Sequence, residues 1–250
     1  MAHKSGNIAE ETGLREKRIV ILGGSSGIGL AVAGQAAAQD ASVVIASSNA
    51  RRIEQAVKSL GKNVEGKTLD LTDERAIESF FQGLGTFDHL VFTAGDALRL
   101  GELAATDLRE ARQAFELRYW AALAAVKYGS PQLRDGGSIV LTTGIAGQRP
   151  RKGWVLGASV CGSIEALTRA LAVELAPIRV NAVSPGVVRT NLWQNMQEED
   201  REGLYENVGK SLLVGRVGEA SEIARTYMYL MQQGFSTGQV IVVDGGTLLV

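Results

Sequence analysis

The chain has 250 residues, with 26 Lys+Arg against 27 Asp+Glu, 45% hydrophobic residues, 30 glycines, 4 prolines and a single cysteine. This length buries roughly 70–75% of the unfolded surface, enough for one sizeable core without disulfides or a structural metal. Glycine at about 12%, against an ordinary ~7%, argues against a helical bundle, and the apolar content argues against disorder.

A formal charge of −1 leaves no dominant basic stripe, so nucleic acid is not the expected partner. No uninterrupted run reaches the ~20 apolar residues of a membrane span, so no membrane partner is expected. Residues 1–15 read as a polar extension without an apolar signal core. Cys161 is alone, which fits a cytoplasmic setting. No metal site is expected.

Ile19-Val20-Ile21-Leu22 is a short apolar run stopped by Gly23-Gly24, the signature of a strand buried on both faces. A helix over Ile28–Gln39 follows, then a strand at Ser42–Ala46, a helix at Arg51–Leu60 and a strand at Val64–Leu69. The alternation continues with helix Asp73–Phe81, strand His89–Phe92, a long helix Asp107–Lys127 and strand Gly137–Thr142. Helix Ser159–Leu175, strand Arg179–Val183, helix Ala220–Met231 and strand Val240–Val243 complete it. Strands alternating with helices demand a parallel sheet covered on both faces, a single α/β domain over 1–250. Residues 187–218 are the one long irregular segment, expected to be a substrate lid. Leu192, Trp193, Met196 and Tyr205 within it are candidates either for a hydrophobic pocket or for packing of the lid itself.

Gly23-Gly24-Ser25-Ser26-Gly27-Ile28-Gly29 joins the first strand to the first helix. Glycines there let backbone approach a pyrophosphate, and the helix start offers unpaired N–H groups and a positive dipole end. The spacing is GxxxGxG, gaining its meaning from the strand before it and the helix after it.

These residues resemble the TGxxxGIG turn of the short-chain dehydrogenase/reductase family, with Leu22 in place of the usual threonine, and the resemblance covers nearly the whole chain. Asp70-Leu71 resembles the pair that contacts adenine in that family. Phe92-Thr93-Ala94-Gly95 occupies the NNAG segment with only Ala94-Gly95 retained. Ile178 to Gly186, including Pro185, and then Thr190 resemble the stretch facing the nicotinamide, and Val243-Asp244-Gly245-Gly246 the closing VDGG. The resemblance implies a Rossmann-like doubly wound sheet, a nicotinamide dinucleotide, and homodimers or homotetramers formed through Asp107–Lys127 and Ser159–Leu175.

A ribose 2′-hydroxyl is usually held by a carboxylate after the second strand; here the chain reads Ala46-Ser47-Ser48-Asn49. Ser47, Ser48 and Asn49 can donate to a 2′-phosphate, and Arg51 or Arg52 can add charge, so NADP(H) is expected over NAD(H), or no cofactor if the site is degenerate.

The resemblance also implies a catalytic asparagine, serine, tyrosine and lysine. None of Tyr119, Tyr128, Tyr205, Tyr227 and Tyr229 is followed by Lys at +4. Aligned on flanking segments, the four positions fall on Arg118, Gly144, Gly157 and Cys161. Hydride transfer to a carbonyl creates an alkoxide that an acid must quench. Arg118, which can stabilise an anion but donates protons poorly, and the Thr143 hydroxyl are the candidate substitutes. Cys161 is a nucleophile only if its pKa is depressed. Arg149, Arg151 and Lys152 form a basic cluster before Trp154 that suits either an anionic substrate or a solvated loop. Three readings follow: a divergent oxidoreductase acting on a carbonyl or alcohol of unknown identity, a catalytically silent dinucleotide sensor or interaction subunit, and a non-redox lyase or isomerase on the same scaffold.

Overall fold

The computed structural model describes residues 13–96 and 101–250. Most of the 1–15 extension lies outside the described residues; of its described part, Leu14 is not a surface residue but is buried in the core.

Seven parallel strands run in the order β3-β2-β1-β4-β5-β6-β9. They are β1 (Arg18–Leu22), β2 (Ser42–Ser47), β3 (Val64–Thr68), β4 (Phe87–Phe92), β5 (Leu133–Thr142), β6 (Arg179–Pro185) and β9 (Val240–Val243). Ile19, Val20, Ile21 and Leu22 are all buried because alternate residues feed two cores, one on each face of the sheet. On one face lie α1 (Gly27–Ala37), α2 (Ala50–Leu60) and α8 (Ala220–Gln232), and on the other α3 (Glu74–Leu84), α4 (Leu108–Phe115), α5 (Ala121–Gly129) and α6 (Val155–Glu174).

Caps set several boundaries. Asn49 accepts from the Arg52 N–H at 3.0 Å, and Asp73 from Arg75 and Ala76 at 2.9 and 3.2 Å, so α2 and α3 start where their first orphan donors find oxygen.

Three departures from the sequence reading matter for the site. The long helix expected over Asp107–Lys127 is broken by a π turn at Glu116–Trp120, between α4 and α5. Segment 187–218 is not irregular: it holds β7 (Val188–Arg189), a 3₁₀ turn at Asn191–Trp193, α7 (Glu198–Ser211) and β8 (Gly218–Glu219), with β7 and β8 paired in parallel. Trp193, Tyr205 and Val217 bury themselves in a small core there, separate from the two main ones. Finally, α6 is by length and composition apolar enough to cross a membrane. It holds no unbroken apolar run, because Ser159, Ser163, Glu165 and Arg169 punctuate the helix. It packs against the sheet through Ile164 and Leu167.

Candidate active site

Strand order reverses between β1 and β4, and open α/β sheets bind ligands beyond the C-terminal ends of their strands at that point. A cavity of about 390 Å³ opens there. Gly23, Ser25, Ser26, Gly27 and Ile28 line one end of it. Gly23 has φ +91°, and a Cβ on it would stand 2.5 Å from the Ala94 nitrogen. The turn is therefore pressed against the end of β4, a contact only glycine permits. Gly29 does not line the cavity; a Cβ there would come within 2.4 Å of both the Gly23 oxygen and Thr93 Oγ1, so it supports the turn from behind. Ser26, the N-cap of α1, makes no side-chain capping bond, and the first turn carries no acidic residue. The leading N–H groups and the positive end of the helix therefore face the cavity without a competing side chain.

Along the β2 side, Ser47, Ser48 and Asn49 line the cavity, joined by Arg52 and not by Arg51. The sequence left Arg51 and Arg52 as alternatives for this position, and Arg51 is not the one that lines the cavity. Once Asn49 caps α2, it is Arg52 that turns inward, its Nη2 3.4 Å from Gln194 Oε1 in segment 187–218. Asp70 and Leu71 form the adjoining wall. The Asp70 carboxylate accepts from the Thr72 N–H at 2.9 Å and from its hydroxyl at 2.7 Å, which hold it below the usual carboxylate range. Ala94, Gly95, Pro185, Gly186 and Thr190 complete the lining between the two ends.

Arg118, Thr143, Gly144 and Cys161 line the far end together, whereas Gly157 is not part of the wall. A Cβ on Gly157 would meet nothing within 4 Å. The Thr143 hydroxyl donates to the Cys161 carbonyl at 2.9 Å. Burial pushes the Cys161 thiol up, outweighing the opposing pull of the Thr143 hydroxyl and the Arg118 guanidinium. Cys161 is thus a protonated thiol at neutral pH, not an activated nucleophile. Arg118 Nε donates to Asp96 Oδ1 at 3.1 Å, and its Nη2 bonds the Asp96 main-chain carbonyl.

The basic cluster does not act as a unit. Arg149 bonds the Thr247 carbonyl, Arg151 stacks on Trp154, and Lys152 pairs with Glu102 at the surface. Only Trp154 of this segment lines the cavity. Leu192 and Trp193 line it as well, while Trp193 and Tyr205 also build the small core of the lid, so both readings of those side chains apply. Asp96 and Gln194 escaped the sequence reading. Both are polar residues in loops that line the cavity, and each pairs there with an arginine distant in sequence.

The family described as Enoyl-(Acyl carrier protein) reductase matches residues 23–247. Short-chain dehydrogenase/reductase ATR9 of Stachybotrys chlorohalonatus is 36% identical over 254 residues, covering 94% of this chain and 98% of the relative. The chain belongs to the short-chain dehydrogenase/reductase family. The crystal structure of a small-chain dehydrogenase in complex with NADPH superposes with TM-score 0.81 at 36% identity, over 94% of this chain and 100% of the other. The structure of MalC Reductase/Diels-Alderase from Malbranchea aurantiaca superposes with TM-score 0.89 at 30% identity, over 96% and 99%. The cofactor that belongs with this short-chain dehydrogenase/reductase is a nicotinamide dinucleotide. The bare Gly23 turn and the uncapped α1 terminus fit the pyrophosphate of such a group.

Proposed function

We propose that this chain is an NADP(H)-dependent oxidoreductase acting on a carbonyl or alcohol, with Arg118 and Thr143 serving in place of the family's usual set. The observation that carries this reading is that the glycine-turn cradle and Arg118 belong to one continuous cavity. Gly23, Ser25, Ser26, Gly27 and Ile28 would hold the pyrophosphate, with Gly29 keeping the turn in shape. Asp70 and Leu71 would flank the adenine. Ala94, Gly95, Pro185, Gly186 and Thr190 would frame the nicotinamide half. Ser47, Ser48, Asn49 and Arg52 present donors and a positive charge, with no carboxylate at the end of β2, which favours a 2′-phosphate over a free 2′-hydroxyl. The structurally similar dehydrogenase whose crystal structure holds NADPH supports the same choice. When bound, the cofactor supplies or accepts the hydride.

At the reacting end, the guanidinium of Arg118 can hydrogen-bond an oxygen on which negative charge develops. Thr143 can orient the same substrate. The small lid over 187–218 would shield it from water. Among the described residues no strong proton donor lines this end, since Cys161 is held as a weakly acidic thiol. That deficit favours substrates that need no acid from the enzyme. It also supports a second reading, non-redox chemistry on the same scaffold. The MalC relative is named a reductase and a Diels-Alderase, and Gly144 and Gly157 add no side chains at the family's serine and tyrosine positions.

A cytoplasmic homodimer or homotetramer through α4–α5 and α6 is also proposed. Exposed Leu108, Trp120, Val155 and Val173 on those helices support it, and light scattering tests it. For the activity, titration of the full chain with NADPH and NADH by nicotinamide fluorescence should show tighter binding of NADPH, with the preference reduced in Arg52→Ala. Reduction of a panel of aldehydes and ketones follows. NADPH binding without turnover on any carbonyl overturns the oxidoreductase reading in favour of the non-redox or silent one. Absence of binding by either dinucleotide overturns the cofactor site itself.

A further inference from the structure

Arg118 does not stand in the cavity as a bare cation. Its Nε donates to the Asp96 carboxylate at 3.1 Å, and its Nη2 bonds the main-chain carbonyl of the same residue. One residue thus occupies two of the three guanidinium nitrogens, using both its charge and its backbone. Both side chains are mostly buried, Arg118 at 24% and Asp96 at 35% exposure, so water screens the pair only partly. The guanidinium lies against Gly95, which has no side chain to push it away, and this leaves Nη1 as the nitrogen with no bond to Asp96.

We propose that Asp96 is a specificity-determining residue: by neutralising and orienting Arg118, it tunes this end of the cavity to a substrate oxygen that is uncharged when it binds and gains negative charge only as it reacts. The inference rests on the oxidoreductase reading given above. An unmasked arginine in a partly buried pocket would capture carboxylates and other anions in their ground state, which tightens binding without accelerating reaction. A closely paired Arg–Asp unit has no net charge. It attracts a pre-existing anion weakly, yet still offers one directed N–H to an oxygen whose charge is growing. The class of substrate that follows is a neutral carbonyl compound or the corresponding neutral alcohol, and not an oxo-acid bound through its carboxylate at this arginine.

The test is binding of benzoate and of its uncharged isostere benzamide to the NADPH complex of the full chain, read by nicotinamide fluorescence. The wild-type complex should distinguish the two by less than about threefold. Asp96→Asn keeps a side-chain acceptor and the main-chain carbonyl but removes the charge, and should gain about tenfold or more for benzoate with benzamide unchanged. The double variant Asp96→Asn/Arg118→Ala should lose that gain. Asp96→Ala carries the same expectation if the asparagine variant does not fold. A merely structural role for Asp96 would weaken both probes together and could not produce a gain confined to the anion.

A wild-type complex that already prefers benzoate tenfold overturns the inference, as does an unchanged benzoate-to-benzamide ratio in both Asp96 variants. Failure of the wild-type chain to bind NADPH overturns the oxidoreductase reading beneath it, a separate result.

Discussion

A Cβ on Gly95 would stand 2.9 Å from Arg118 Nη1, 3.0 Å from its Cζ and 3.1 Å from its Nη2, so the guanidinium lies flat against the glycine. The contact gives Gly95 a second part beside its place in the cofactor wall. A methyl group here meets the far end of a flexible side chain, and the side chain can give way. Gly95→Ala should therefore cost less than about 1 kcal/mol in stability. A displaced donor is far more damaging to chemistry, and turnover in the carbonyl assay should fall on the order of 100-fold. Urea melts and steady-state kinetics on the same preparation check both halves. A large loss of stability would mean that the backbone, not Arg118, had to move.

Gly23→Ala should behave in the opposite way. Its Cβ would meet backbone, the Ala94 nitrogen at 2.5 Å, and the φ of +91° is one that side chains rarely adopt. Neither obstacle can rotate aside. The expected cost is roughly 2–3 kcal/mol, with dinucleotide binding lost because the turn must lift from β4. Thermal melts and NADPH titration measure the two effects.

His89 should make the protein sensitive to mild acid. It is buried on β4 with Nδ1 2.9 Å from Ser138 Oγ. Burial, opposed by Asp88 and reinforced by Arg179 and Lys17, lowers its pKa to about 4. The unfolded chain takes up the proton near 6.5 and the folded chain only near 4, so the unfolded state gains stability between those values. The contribution is fully present above pH 6.5 and is lost as pH falls through 4, at about 1.4 kcal/mol per pH unit and roughly 3 kcal/mol in all. Denaturant midpoints at pH 7, 5.5 and 4.5 should trace this loss. His89→Asn should flatten the part of it above pH 4.5, where Asp88 with its lowered pKa still keeps its charge.

Segment 187–218 should loosen as a unit. Trp193 is buried, and its Nε1 donates to the Val188 carbonyl at 3.0 Å, closing the small core that includes Tyr205 and Val217. Trp193→Ala should cost about 3–5 kcal/mol locally. Because that core is separate from the two main ones, hydrogen exchange should accelerate across Glu198–Ser211 while β1, β4 and β6 keep their protection.

The sheet could be read in the sequence because β1, β2, β4 and β6 are runs of residues largely buried on both faces and bounded by glycine or polar turns, a pattern that local composition carries. The cradle was readable for the same reason: Gly23, Gly27 and Gly29 stand next to one another in the chain. The reacting end was readable only in part, through Arg118, Thr143, Gly144 and Cys161, which line the cavity together. Asp96 is an ordinary polar residue in a loop, and only the fold brings it to Arg118, 22 residues away. The choice of Arg52 over Arg51 depends on the turn at which Asn49 caps α2, a matter of one residue that composition cannot decide. Segment 187–218 looks irregular in sequence because α7 is largely polar, with Tyr205 and Gly209 as its buried residues, and so lacks a strong apolar stripe. The weak amphipathic signal hid a real helix.

The π turn at Glu116–Trp120 carries Arg118 near its middle. Such a turn holds one residue more than an α-helical turn in nearly the same rise. Deleting one residue from this span would restore an α-helical turn, leaving α4 and α5 nearly in phase but re-aiming the side chains within the turn. Arg118 would then leave its present bearing, even with every functional group retained. The reactive end of this protein is thus set by a count of residues as well as by their chemistry. A one-residue deletion far from any glycine could silence the enzyme while leaving its cofactor cradle intact.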